Sequence, residues 1–374
     1  MKRKNNLYFN SLKYDNADVM FHKIKNACRN REAVYDYSIN KCTNIIDLLN
    51  SLYTGNYVFD KYRIFMIKDP KYRIIMSENV KDKLANHIVS KYILLPSLES
   101  KLIDTNVATR KNKGSKYAFN KFLSYLNKLK YENKEIYVLK LDIKKYFYNI
   151  DHDILKKLLK KYIKDKYALY LLHNIIDSTN EDYVNNRINY LKRLKIDDLK
   201  NSNLSKKEKE MKIDMVKSIP IYERGKGLPI GNMTSQILAI FYLNDVDHYI
   251  KEVLKFKYYI RYMDDLLIID TDKEKLKKSF KLIEAEINKL NLELNSKSNL
   301  YKMSNGISFL GYKFIINNNK TIIKYNNQTI RRIDRKLKVL KEKDYELYKR
   351  SYGSYQGYFK SSNTKLRDKY FVKN

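Results

Sequence analysis

Residues 258–270 read YYIRYMDDLLIID: two runs of aromatic and branched apolar residues, broken by Met263 and two adjacent carboxylates, Asp264 and Asp265. Runs of that length and composition predict two buried strands rather than a helix. The polar break predicts a tight hairpin, because an aspartate side chain can bond its own local backbone at a turn. An Asp-Asp tip can simply solvate a turn. It becomes a metal site only if other strand ends bring further carboxylates, since a divalent ion needs several converging oxygens.

One such carboxylate stands upstream. In 136–150, IYVLKLDIKKYFYNI, residues 136–141 predict a short apolar strand ending at Asp142, and Phe147, five positions on, is an aromatic able to wall a pocket beside an ion. Alone, an Asp after a strand is more often a turn or helix cap; the weight of Asp142 comes from pairing with Asp264 and Asp265. In 224–236, RGKGLPIGNMTSQ, three glycines and a proline precede an apolar 3.6-residue pattern that starts at Ser235. A glycine loop opening a buried helix suits a nucleotide packed against backbone, and is equally a plain loop-to-helix junction.

Nearer the amino terminus, 63–67 and 72–76 predict two strands joined at Asp69-Pro70, a turn signal, with Lys68, Lys71 and Arg73 flanking it. Such cations can bind a triphosphate or merely solvate a hairpin tip. The basic stretch 110–117, RKNKGSKY, lacks any GxxxxGKS phosphate-loop pattern. Residues 83–95 predict a helix capped by Asp82 and stopped by Pro96, 153–177 a pair of amphipathic helices, and 273–290 another helix. The charged segment 179–217 predicts an insertion, partly helical and largely solvated. Short strands with a Ser304-Asn305-Gly306 turn signal occupy 292–314, a basic helix follows over 327–348, and 351–370 interleave aromatics with cations, as a nucleic-acid groove would.

The whole composition points the same way. Lys and Arg total 76 against 42 Asp and Glu, a net charge of +34, which calls for a polyanionic partner, nucleic acid before anionic membrane. Part of the lysine, asparagine and isoleucine content, with 35 Tyr and no Trp, resembles the codon bias of an AT-rich genome. No apolar run is long enough to span a bilayer, and the basic start MKRKNN leads into no apolar signal region, so a cytoplasmic, non-membrane protein is expected. Cys28 and Cys42 have neither zinc nor redox spacing.

These pieces arrive in the order found in reverse transcriptases. LDIKKYF resembles that family's motif A, GLPIGNMTSQ motif B, YMDD motif C and FLGY the primer grip, with DPKYRII and RKNKG resembling fingers segments, so that the resemblance covers roughly 60–370. It implies an α+β right-hand polymerase with fingers, a palm built on an antiparallel sheet, and a helical thumb. The expected layout is an N-terminal helical extension at 1–60, fingers at 61–135, palm at 136–300 with the insertion at 179–217, and primer grip and thumb at 301–374. By the same resemblance Asp142, Asp264 and Asp265 are the catalytic residues and bind two Mg²⁺ ions, with Mn²⁺ as a substitute. Lys68, Arg73, Phe147, Ile230, Gly231 and Gln236 contact the incoming dNTP, and Phe147 excludes ribonucleotides at the sugar's 2′ position. Lys297 falls near the family's proton donor to pyrophosphate, and Leu310, Gly311 and Tyr312 form the primer grip.

Motif B carries Ile230 where retroviral and group II intron enzymes have glutamine. The string is most similar to the reverse transcriptases of diversity-generating retroelements, and SNTKL at 362–366 resembles their thumb. Losing an amide beside the nucleotide implies error-prone copying, especially opposite template adenines. The implied partners are an RNA template, a DNA or RNA primer, dNTPs, a structured non-coding RNA and a small basic accessory protein. The long insertion and the absence of histidine near KSSNT keep bacterial antiphage-defence reverse transcriptases as an alternative role. A non-catalytic RNA-binding protein on the same scaffold is a further alternative, against which the carboxylate trio argues.

Overall fold

Branched and aromatic side chains favour extended chain, and among the described residues the stretches that carry them form three antiparallel sheets. The computed structural model describes residues 3–28, 30–68, 71–132, 134–318 and 320–359. Two compact units divide the chain: Met1–Asp104, Ile143–His248 and Ala285–Glu293 make the first, and Thr105–Asp142, Tyr249–Glu284 and Leu294–Asn374 the second.

In the first unit β1 (Arg63–Lys68) and β2 (Tyr72–Ser77) pair antiparallel from Arg63↔Ser77 to Lys68↔Tyr72. The expected Asp69-Pro70 turn lies outside the described residues. Ile64, Ile74 and Met76 of this hairpin are buried together with Val184, Ile188 and Leu199 of the helix Asp182–Lys200 and Val216 of the helix Lys206–Lys217. The segment expected to be largely solvated therefore docks on the hairpin. Val184, Ile188 and Leu191 recur at one face of a helix, but the surrounding lysines mask that stripe in the sequence.

A second difference concerns the helix expected from residue 83. It begins at Val80, and its cap is Asn79, whose side chain accepts from the Asp82 amide at 2.7 Å. Asp82 instead turns inward, accepting from the Tyr57 hydroxyl and from the Asp60 amide at 3.0 Å. Nor does Pro96 end the helical run. It lies inside a continuous run, the turn Val89–Leu94 leading directly into Leu95–Leu98, with the Leu95 amide bonded to the Ser90 carbonyl.

In the second unit β3 (Tyr137–Asp142), β4 (Tyr258–Tyr262), β5 (Asp265–Asp270) and β6 (Asn299–Lys302) form one sheet in the order β4-β5-β3-β6, each neighbour antiparallel. A separate sheet holds β7 (Ile307–Phe309), β8 (Tyr312–Asn317) and β9 (Lys320–Tyr325). The helix Ser115–Leu129 buries Phe119, Phe122 and Leu126 in a cluster with Val138, Ile260 and Leu267 of the first sheet and Phe309 and Phe314 of the second. Two helices follow, Asn327–Lys343 and Tyr345–Phe359. The SNTKL segment and most of 351–370 lie outside the described residues. Among the described residues no helix is long and apolar enough to cross a membrane.

Candidate active site

β4 and β5 are joined by Met263 and Asp264 alone, the ladder closing at Tyr262↔Asp265. Met263 has φ +56°, a conformation that costs a side-chain-bearing residue on the order of 1 kcal/mol or more. Such a turn persists only if its surroundings hold it. Arg261 does so: its side chain is fully buried, and Nη1 donates to the Met263 carbonyl at 2.8 Å. The Arg261 backbone is itself pinned, its amide donating to the Thr105 carbonyl and its carbonyl accepting from Val107, each at 3.0 Å. This residue went unnoticed in the sequence. The signal was a cation inside the otherwise apolar run YYIRY.

The carboxylates meet through strand register. Asp142, the last residue of β3, stands directly opposite Asp265, the first of β5. Asp142 is clamped through its backbone: Ser298 Oγ lies 3.0 Å from its amide and 3.1 Å from its carbonyl, and the Asn295 amide donates to that carbonyl at 2.7 Å. The same turn carries Lys297, whose amide donates to Asn295 Oδ1 at 3.2 Å, an aspartate-like side-chain turn made by asparagine. Lys297 thus reaches a cleft of about 430 Å³ that Asp142, Asp265, Lys140 and Lys313 also line. Lys140 Nζ lies 3.5 Å from Asp265 Oδ1.

Hard carboxylate oxygens on fixed backbones are what Mg²⁺ or Mn²⁺ takes, and Asp142 and Asp265 are of that donor type. Asp264 belongs to the turn and is not among the residues lining the cleft. Among the described residues no three His, Cys, Asp or Glu side chains form a metal-binding group.

The expected primer-grip residues divide. Leu310 and Gly311 make the turn between β7 and β8 with φ +50° and +85°, the pattern of a two-residue hairpin loop. Tyr312 is buried, its ring 4.7 Å from that of Phe119 and 5.2 Å from that of Tyr325, so its aromatic ring serves the core.

The residues expected to contact the nucleotide lie in the first unit, where backbone bonds join several of their segments. The Met76 amide donates to the Ile230 carbonyl at 2.9 Å, and the Leu228 amide to the Phe147 carbonyl at 2.7 Å. Gly231 has φ +141°, and a Cβ there would stand 2.6 Å from the Met76 carbonyl oxygen, so only glycine lets the loop lie this close to β2. Arg73, exposed on β2, lies near enough to the Tyr148 phenol to favour its ionised form, while burial pushes that phenol up to about 12. Gln236 is in the helix Met233–Tyr242 with its amide bonded to the Asn232 carbonyl at 3.3 Å. Lys68 is placed differently, at the end of β1, its ammonium 5.4 Å from the Tyr72 ring centroid and its charge disfavoured by burial and by Lys212 and Lys195.

Residues 67–314, more than half of the chain, match the reverse transcriptase (RNA-dependent DNA polymerase) family. No curated protein sequence matches. Among solved structures the chain resembles a telomerase from Candida albicans in complex with a fragment of telomeric RNA, at 16% identity and TM-score 0.43, covering 72% of this chain and 46% of that one. It also resembles an apo telomerase from Candida tropicalis truncated of its C-terminal domain, at 14% identity and TM-score 0.45, covering 76% of this chain and 60% of that one. The chain thus spans about half the length of these proteins. On the family match, the chain folds as a right-hand polymerase and belongs to the reverse transcriptase (RNA-dependent DNA polymerase) family of nucleotidyltransferases.

Proposed function

We propose that the chain extends a DNA or RNA primer on an RNA template, with Asp142, Asp264 and Asp265 as the ligands of two divalent ions. The observation that carries this reading is the register pair Asp142↔Asp265, backbone-clamped, with Lys297 lining the same cleft. Bound ions of this kind lower the pKa of the primer 3′-hydroxyl and offset the charge of the triphosphate. Asp142 and Asp265 present oxygens from strand ends, and Asp264 joins them from the turn between β4 and β5. Lys297 gives its proton to the departing pyrophosphate. Arg73 holds triphosphate oxygens in its planar fork and Lys68 adds a point charge. Phe147 excludes a 2′-hydroxyl, while Gly231, Gln236 and Ile230 bear on the base and sugar, and the Leu310-Gly311 turn supports the primer. Primer extension with dNTPs and Mg²⁺ tests this: incorporation by the wild type and none by Asp264→Ala is expected. Absence of incorporation on every RNA template tried would overturn it.

The finer reading is error-prone copying in a diversity-generating retroelement. It is supported by Ile230, which has no amide to lie along the incoming nucleotide. Replacing Ile230→Gln should lower misincorporation, most of all opposite template adenine. Equal error frequencies in the two proteins, counted by sequencing the products, would remove the support. A cytoplasmic setting, with a structured RNA and a small basic protein as partners, accompanies this reading.

A further inference from the structure

The Asp142↔Asp265 pair sets two like charges directly opposite each other on neighbouring strands, an arrangement that is unfavourable unless a cation is close. Lys140 supplies one from the same strand. Two residues before Asp142, it projects from the same face of β3, and its side chain is only 23% exposed. Its ammonium stands 3.5 Å from Asp265 Oδ1 and donates to the Ser308 carbonyl on β7 at 3.0 Å. The two contacts are unequal. At 3.5 Å the carboxylate contact is an ion pair, longer than a charge-assisted hydrogen bond, whereas the Ser308 bond is of ordinary length. The ammonium can therefore give up Asp265 and still keep a hydrogen-bond partner.

We propose that Lys140 is the built-in counter-ion of the carboxylate pair, leaving Asp265 when a divalent cation binds and staying tethered to Ser308. It is a positioning residue that sets how tightly the pair takes metal, and the inference rests on the reading that Asp142 and Asp265 are metal ligands. Metal entering the cleft has to displace a resident charge. Lys140 thereby links the filling of that cleft to β7, the strand that leads into the Leu310-Gly311 turn.

The test uses Mn²⁺ alone as probe, titrated into the full chain without nucleic acid, with free Mn²⁺ counted by its electron paramagnetic resonance signal. Lys140→Met should bind about three- to tenfold tighter than wild type, the scale of one partly exposed ion pair. Lys140→Gln, which keeps a donor for Ser308, should do the same, and Lys140→Arg should remain near wild type. Lys313→Met removes an equal charge from the same cleft and should change affinity less than about twofold. Unchanged or weaker binding in both Lys140→Met and Lys140→Gln would overturn the proposal, as would equal tightening in Lys313→Met. Mn²⁺ uptake that is absent in wild type, or undiminished in an Asp142→Asn, Asp265→Asn double variant, would defeat the metal-ligand reading together with the inference.

Discussion

Replacing Arg261→Met removes a fully buried guanidinium while filling most of its volume, so lost hydrogen bonding dominates over any cavity. One such bond joins a charged donor to the carbonyl of Met263, a residue held at φ +56°. Hydrogen bonds to charged groups contribute about 1.5–3 kcal/mol, and the carbonyl left behind has no substitute donor in an apolar side chain. A loss of about 2 kcal/mol corresponds to roughly thirtyfold easier opening of the turn. Hydrogen exchange read on peptides spanning 258–270 measures that opening directly. Amides of β4 and β5 should exchange about thirtyfold faster in the variant, whereas those of β1 and β2 should keep their rates. Primer extension should fall with it, because Asp264 sits in the loosened turn. Exchange in 258–270 within about twofold of wild type would refute the account of Arg261 as the residue that holds Met263 in place.

Gly231→Ala should raise the KM for dNTP and cost about 1–3 kcal/mol of stability, since its Cβ would stand 2.6 Å from the Met76 oxygen; an unchanged KM in steady-state extension assays would count against the close approach. Asp165 accepts from the amides of Leu7 and Tyr8 at 2.8 Å and of Tyr167 and Ala168 at 3.1 Å. Asp165→Ala should cost at least the ~1 kcal/mol of a helix cap and expose Lys13 to trypsin, which limited proteolysis with mass spectrometry would detect. Burial pushes the Glu78 carboxyl up to about 8, and Asn86 Nδ2 donates to it at 2.6 Å. With its folded pKa above its unfolded one, its neutral form favours folding most fully below about pH 4.5, and that contribution is lost as pH rises toward 8. Glu78→Gln should therefore gain in melting temperature relative to wild type between pH 5 and 8, and parallel curves across that interval would contradict the assignment.

What could be read from residues alone depended on the strength of the local signal. The hairpin 258–270 and the strand ending at Asp142 are dense apolar runs, the helix that opens near Ser235 carries a 3.6-residue pattern, and each forms within a few residues of where it was expected. The juxtaposition of Asp142 with Asp265 was suggested by residue type and by the resemblance of their motifs; strand pairing across more than a hundred residues has no local signature. Asn79 and Asp82 are both good caps, and the choice between them was made by Tyr57, which claims the Asp82 carboxylate from 25 residues away. Arg261 escaped notice because its partner is a carbonyl exposed by the left-handed geometry of Met263, a property of the folded turn. Lys140 likewise reads as one lysine among many until Ser308 and Asp265 are seen beside it.

The docking of 182–217 on the β1–β2 hairpin has a practical consequence for anyone shortening this enzyme. On its charge alone the segment looks like a dispensable loop. Cutting it out would lay bare Ile64, Ile74 and Met76, each at most 3% exposed in the intact chain, on a two-stranded ribbon that is marginal without a packed face. The expected product is a polymerase that precipitates during expression. A workable truncation would have to carry polar replacements at those three positions, or keep both helices and shorten only the link between them.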